Sequence, residues 1–335
     1  MKTSNMKGYP FLKIFSQSLD KVYLWWTLEK SRVDHRPSGH DFSSFATEEY
    51  LDSPHLFYSK PRRVPDIRFI ETNRISGIEV SRVTFPSPVQ TRYRENNVVP
   101  GKLFRCRGKT PLSSLIVLHG WSRPVLNLEE RLCIALAQRG ITSLLLTLPY
   151  HIQRTPEDSW SGEYALSGDV LRTIDGFHQA VLEVRAIIPF LRTYSERIGL
   201  LGISLGGMIA HVVMGLEDLD FGITLLTGGN SAGIVWESIA TRDVKKQIKR
   251  AGITREELSQ IWAVIDPARL AGHNRVKRIL MINGLYDQVI PPKFTIQLRE
   301  SLGRPPIHWY PCAHISFFLF LKGIVRDITH FIQGD

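Results

Sequence analysis

Gly202-Ile203-Ser204-Leu205-Gly206-Gly207 stands between two apolar segments of different character. Before it, Arg197-Ile198-Gly199-Leu200-Leu201 is a short run of the kind buried in a parallel sheet; after it, Met208 to Met214 reads as packed helix. A strand, Gly-x-Ser-x-Gly and a helix in succession make a nucleophile elbow, with the serine in a strained turn. Strand and helix nearly touch in such a turn, so glycine at Gly202 and Gly206 has a steric reason.

Outward from the elbow, strands alternate with helices. Upstream, Leu115 to Leu118 and Ile141 to Leu148 read as strands, with helices over Leu126 to Arg139 and Ile174 to Thr193. Downstream, Phe221 to Leu226, Ile279 to Ile282 and Ile307 to Tyr310 read as strands, and Ile315 to Ile332 as a closing helix. Such alternation implies right-handed crossovers, and hence a mostly parallel central sheet with helices on both faces. Residues 229–274 interrupt it with helical segments, which predicts a small lid over the carboxyl edge of the sheet. Ahead of the alternating part, residues 67–70, 78–85 and 98–107 have strand character. The chain therefore divides into an extension over residues 1–65 and a catalytic domain over residues 66–335.

A serine hydroxyl needs a base to take its proton and a carboxylate to orient that base. In a parallel sheet these groups belong just past the carboxyl ends of strands. Asp287 lies in the turn after Ile279–Ile282, and His314 in the loop after Ile307–Tyr310. Ser204, Asp287 and His314 thus follow in the order nucleophile, acid, base. Backbone donors for an oxyanion are expected at Leu205 N–H, next to the nucleophile, and at Trp121 N–H in the loop His119-Gly120-Trp121. His119 reads as a structural hydrogen bonder and Cys312, which has no glycine elbow, as a packing residue. Tyr150 and His151, after the second core strand, are expected to overlook Ser204, with Trp236 or Trp262 roofing a pocket for short to medium acyl chains.

These motifs together resemble the α/β-hydrolase superfamily, particularly its carboxylesterase branch, over about residues 110–335. Within it, Leu148-Pro149-Tyr150-His151 and the lid with Asp266-Pro267 are similar to bacterial abhydrolase-domain proteins and dienelactone hydrolases. The resemblance implies the α/β-hydrolase fold and a serine hydrolase cleaving carboxylic esters through an acyl-enzyme, with oxyanion donors at Trp121 and Leu205. Serine in place of cysteine departs from dienelactone hydrolases, and the absence of a His-Gly-Gly-Gly loop departs from the lipase branch. Acyltransferase and peptidase activity share this machinery and stay open, as does a binding protein that kept the fold.

The rest of the sequence narrows the partners. No His-Glu-x-x-His, paired Cys-x-x-Cys, dinucleotide fingerprint or phosphate loop occurs, so neither metal nor cofactor is expected. The net charge is +10, and residues 1–110 hold 19 Lys and Arg against 11 Asp and Glu. That excess is dispersed and comes with no nucleic-acid motif, so a solvated surface is expected rather than a nucleic-acid partner. Cys106, Cys133 and Cys312 are too scattered for a disulfide frame. With no apolar leader at the amino terminus, a cytoplasmic location is expected. Phe11, Phe15, Leu19, Val22 and Trp26 fall at helical spacing, so residues 11–28 read as a helix with a large apolar face. That face is expected to dock on the protein itself or across a homodimer; contact with a membrane surface is possible but less favoured.

Overall fold

The computed structural model describes residues 9–27, 47–75, 77–106 and 113–334. Helix α1 (Pro10–Thr27) comes first, then two short helices, α2 (Glu48–Asp52) and α3 (Pro54–Phe57). Three strands follow, β1 (Arg68–Ile75), β2 (Ile78–Pro86) and β3 (Val98–Cys106), and pair antiparallel with one another. The alternating region then runs β4 (Ser113–Leu118), α4 (Asn127–Ala137), β5 (Ile141–Leu146), α5 (Val170–Leu191), β6 (Ile198–Ile203), α6 (Leu205–Leu216) and β7 (Phe221–Leu225). Helices α7 (Ser231–Glu237), α8 (Arg242–Arg250), α9 (Arg255–Ile261) and α10 (Pro267–Leu270) lie between β7 and β8 (Ile279–Gly284). The chain ends through α11 (Pro292–Ser301), β9 (Ile307–Tyr310) and α12 (Leu321–Gln333).

One open nine-stranded sheet results, in the order β1-β2-β3-β5-β4-β6-β7-β8-β9. From β5 to β9 every neighbouring pair is parallel. Each inner strand is buried on both faces, because successive side chains alternate between two apolar layers. Leu115, Val117, Leu201 and Ile203 pack against α4 and α12; Ile116, Leu118 and Leu200 pack against α5 and α6. This is the mostly parallel sheet, covered on both faces, that the alternation predicts. It places the ends of β4, β6, β8 and β9 along one edge, where their loops meet.

Helix α1 forms at the expected place but docks through another face. Its fully buried residues are Ser16 and Asp20, four apart and so on one side of the helix. Phe11, Phe15 and Val22 are 78%, 46% and 56% exposed, so the body of this chain does not cover the apolar face as the first of the expected docking modes requires. The Trp26 side chain lies outside the described set. The apolar spacing was genuine, but polar partners on the body of the protein decide which side is buried. Among the described residues no helix is long and apolar enough to cross a membrane.

Candidate active site

The elbow follows from steric necessity. A Cβ on Gly202 would run into the carbonyl of Gly206, and one on Gly206 into the carbonyls of Leu118 and His119. Ser204 sits between them at φ 53°, ψ −115°, a left-handed conformation that costs about 1–3 kcal/mol for a residue with a side chain. Ser122 and Leu226, at φ 57° and 52°, share this strain in the neighbouring loops. Ser204 caps α6, so its hydroxyl stands over the amino terminus of a helix.

Two strand ends bring its partners. The Asp287 carboxylate, 4% exposed, accepts Val289 N–H and Ile290 N–H at 2.8 Å each through Oδ1. Its other oxygen lies 2.7 Å from His314 Nδ1, and His314 Nε2 lies 3.0 Å from Ser204 Oγ. A carboxylate can only accept, so Nδ1 carries the imidazole proton and Nε2 turns its lone pair to the serine hydroxyl. The structure therefore brings Ser204, His314 and Asp287 into one hydrogen-bonded chain.

The loop after β4 closes the other side. A Cβ on Gly120 would stand 3.4 Å from Ser204 Cβ, so the loop backbone passes directly beside this serine. His119 fixes this backbone: its Nδ1–H donates to Gly120 O at 2.7 Å, while its Nε2 accepts Leu148 N–H at 3.0 Å. Burial, with the nearby His151 ring, holds the His119 pKa well below the ordinary histidine range. It is neutral, which is the form this pair of bonds requires. The Trp121 indole N–H donates to Gly162 O at 2.7 Å, anchoring the next residue. Leu205 opens α6, so its N–H has no intrahelical acceptor.

No family model matches the sequence. It is 29% identical over 99 residues to the uncharacterised protein YdjC of Bacillus subtilis, covering 30% of this chain and 85% of that one. Over 230 residues it is 28% identical to the uncharacterised protein Rv2627c of Mycobacterium tuberculosis, covering 68% of this chain and 50% of that one. The chain thus spans about half the length of the mycobacterial relative. Among solved structures it is similar to acetyl xylan esterase 1 of Thermoanaerobacterium sp. JW/SL YS485, with a TM-score of 0.65 at 18% identity over 90% of this chain and 96% of that one. The chain has the α/β-hydrolase fold. A Pyrococcus horikoshii acylaminoacyl peptidase shares it, with a TM-score of 0.54 at 12% identity over 79% of this chain and 41% of that one.

The segment between β7 and β8 stands over Ser204. An apolar chamber of about 70 Å³ opens at Ser204 and is walled by Leu205, Met208, Phe177, Ile234 and Trp262. The Trp262 indole is buried and donates to Val170 O at 3.1 Å, tying the lid to α5. Asp266 secures the same lid by accepting Asn230, Ser231 and Ala268 N–H groups. The larger groove of about 420 Å³ lies outside this chamber, between α1, α8 and the Trp121–Trp160 pair. It shares Trp121, Leu166 and Ala240 with the chamber but is not lined by Ser204.

Other expected residues stand elsewhere. Tyr150 and His151 do not line the chamber; both are buried beneath the Trp121 loop, His151 with its pKa lowered to about 4 by desolvation. Trp236 is also off the wall, half-buried under the Lys245 ammonium. Cys312 is buried, and burial together with Asp287 and Asp20 pushes its thiol pKa up, the opposite of an activated nucleophile. Among the described residues no group of three or more His, Cys, Asp and Glu side chains is placed to hold a metal ion.

Two features escaped the sequence reading. Arg154 and Glu183 form a buried pair at 2.6 Å that fastens the loop after β5 to α5, and the guanidinium also donates to the Asn96 and Thr147 carbonyls. The second is Asp20, wholly buried, which accepts His314 N–H at 2.7 Å, Ile315 N–H at 2.9 Å and Ser316 N–H at 3.3 Å. Its one signal was that Asp20 is the single acidic residue of α1, beside the basic Lys13 and Lys21.

Proposed function

We propose that the protein is a serine hydrolase that cleaves carboxylic esters of short acyl groups through an acyl-enzyme. The observation that carries this reading is the unbroken chain from Ser204 Oγ through His314 to Asp287 at a strained elbow. Ser204 Oγ attacks the ester carbonyl as its proton passes to His314 Nε2. The resulting oxyanion accepts hydrogen bonds from Leu205 N–H and Trp121 N–H, each worth about 2.7–4 kcal/mol of barrier. His314 then gives its proton to the departing alkoxide. A water molecule, deprotonated by the same imidazole, attacks the acyl-serine and frees the acid. Asp287 keeps His314 in the tautomer that both half-reactions need.

The chamber supports the short-acyl part. At about 70 Å³ it is small, and its wall of Phe177, Met208, Ile234 and Trp262 is apolar, which suits a short acyl chain. The similarity to an acetyl xylan esterase agrees with esters, and that to an acylaminoacyl peptidase keeps amides on the panel of substrates. A fluorophosphonate should label the wild type and leave Ser204→Ala unlabelled, with hydrolysis lowered about 10⁶-fold. Labelling of a different serine overturns the assignment. Across p-nitrophenyl esters from acetate to decanoate, kcat/KM should peak at the short end; a decanoate preference overturns the size reading.

A further inference from the structure

Three loops carry the site, and α1 is bonded to all of them. Tyr23 OH accepts from Arg123 in the loop after β4, at a longer 3.4 Å. In the loop after β8, Gln17 Nε2 donates to Tyr286 O at 3.2 Å and Tyr286 OH accepts Tyr9 N–H at 2.9 Å. Asp20 takes the three N–H groups of His314, Ile315 and Ser316 after β9. These are the donors that the start of a helical turn leaves without partners, here buried away from water. The titratable groups that interact with Asp20 are His314 and Cys312 on that loop and Asp287 on the neighbouring one.

We propose that Asp20 is a positioning residue for the proposed reaction, holding the backbone of His314 while Asp287 holds its ring. The inference rests on the serine-hydrolase reading and adds α1 to its machinery. The two carboxylates act on different atoms of one residue. Asp287 sets the tautomer and rotation of the imidazole, and Asp20 sets where that imidazole hangs. His314 has no strand or helix of its own; it sits between the end of β9 and the turn at Ser316–Phe320. A carboxylate is suited to the task because it accepts from three donors converging on one place, which neither a hydroxyl nor an amide matches. Burial raises the Asp20 pKa against these bonds, so the position is costly and its retention needs the three donors.

The test uses the full chain. Asp20→Asn keeps the shape but turns one acceptor into a donor facing N–H groups. With kcat for p-nitrophenyl acetate as the readout, about a 10- to 100-fold fall is expected, the size of effect that a displacement of about 1 Å produces. KM should stay within about twofold. The acid limb of kcat/KM should move to lower pH, because one of two negative charges beside the imidazole is gone. Ser16→Ala, on the same buried side of α1, measures helix docking alone and should leave kcat unchanged. Wild-type kcat and an unmoved pH limb in folded Asp20→Asn overturn the inference, as does an equal loss in Ser16→Ala. If Asp20→Asn does not fold, Asp20→Glu carries the test by pushing the carboxylate forward one methylene: lowered kcat supports positioning, and wild-type kcat overturns it. Failure of the fluorophosphonate to label wild-type Ser204 is a separate result that removes the hydrolase reading itself.

Discussion

The elbow and helix α1 meet at the same imidazole, yet they are built on opposite principles. At Gly202–Gly207 each residue type follows from space: glycines where backbones touch, a serine where the chain must turn, apolar residues on either side. In α1 the pattern is inverted. Ser16 and Asp20 face the protein, while Phe11, Ile14, Phe15, Val22 and Trp25 are exposed to different degrees. One region is held by sterics and burial, the other by hydrogen bonds between residues almost 300 positions apart. Local sterics leave a local sequence signature; a polar contact across the whole chain leaves almost none.

Of the two carboxylates that hold His314, the larger effect should come from Asp287. Asp287→Asn retains the shape but favours the wrong tautomer of His314, and kcat should fall about 10⁴-fold. Asp20→Asn should cost far less, and the ratio of the two losses measures ring control against backbone control. Equal losses would erase the distinction between the two carboxylates.

Next is the elbow itself. Gly206→Ala places a methyl against two backbone carbonyls that no rotamer can relieve. Overpacking of this kind costs about 3 kcal/mol, to be read in urea unfolding, and labelling of Ser204 should be lost with it. A stable, active Gly206→Ala enzyme would mean that strand β6 and helix α6 are less tightly apposed than described.

Buried titratable groups sharpen the comparison further. His211, on the elbow's own helix, has neither ring nitrogen bonded, and desolvation lowers its pKa to about 3. It is neutral when folded, but the unfolded chain takes up a proton below about pH 6.5, so stability is lost as pH falls through that value. At pH 5 the loss from this one residue is about 2 kcal/mol. His211→Leu should therefore gain on the wild type as pH drops from 7 to 5. Asp20 has the reverse sign: its raised pKa makes the wild type lose stability as pH rises above the ordinary carboxylate value of 3.8. Asp20→Asn should gain on the wild type in that upward direction. Thermal melts of both variants across pH 4–7 check the two slopes together.

The same contrast decides how much was legible. Strand–elbow–helix, the order Ser204, Asp287, His314 and the parallel sheet are consequences of spacing and periodicity, which a sequence displays directly. The wall of the chamber was less so: Trp262 lines it, whereas Tyr150 and His151 turned inward and Trp236 turned away. The loop that carries Tyr150 and His151 is fastened by the Arg154–Glu183 pair, whose members are 29 residues apart and carry no motif. Helix α1 was legible as a helix but not as part of the site. Hydrophobic periodicity assigns the buried side by counting apolar residues, and α1 is held by its polar ones.

The smallest expected effect tests that last point. Phe11 is 78% exposed, and its ring is stacked only loosely on Phe15, with centroids 6.5 Å apart. Removing a side chain this exposed leaves stability within about 0.5 kcal/mol, so Phe11→Ser should melt with the wild type and keep its kcat. Ser16→Leu, one turn further along on the buried side, should do the opposite. It forces a larger side chain into the docked face, costs about 1–3 kcal/mol and loosens the hold on Asp20. Paired urea titrations of the two variants, with kcat measured on each, read out which side of α1 holds it. If Phe11→Ser loses as much stability as a buried aromatic would, about 3 kcal/mol or more, the outward face is covered in solution. The polar side would then no longer be the one that holds the helix, and the contrast with the elbow would fail at its weaker end.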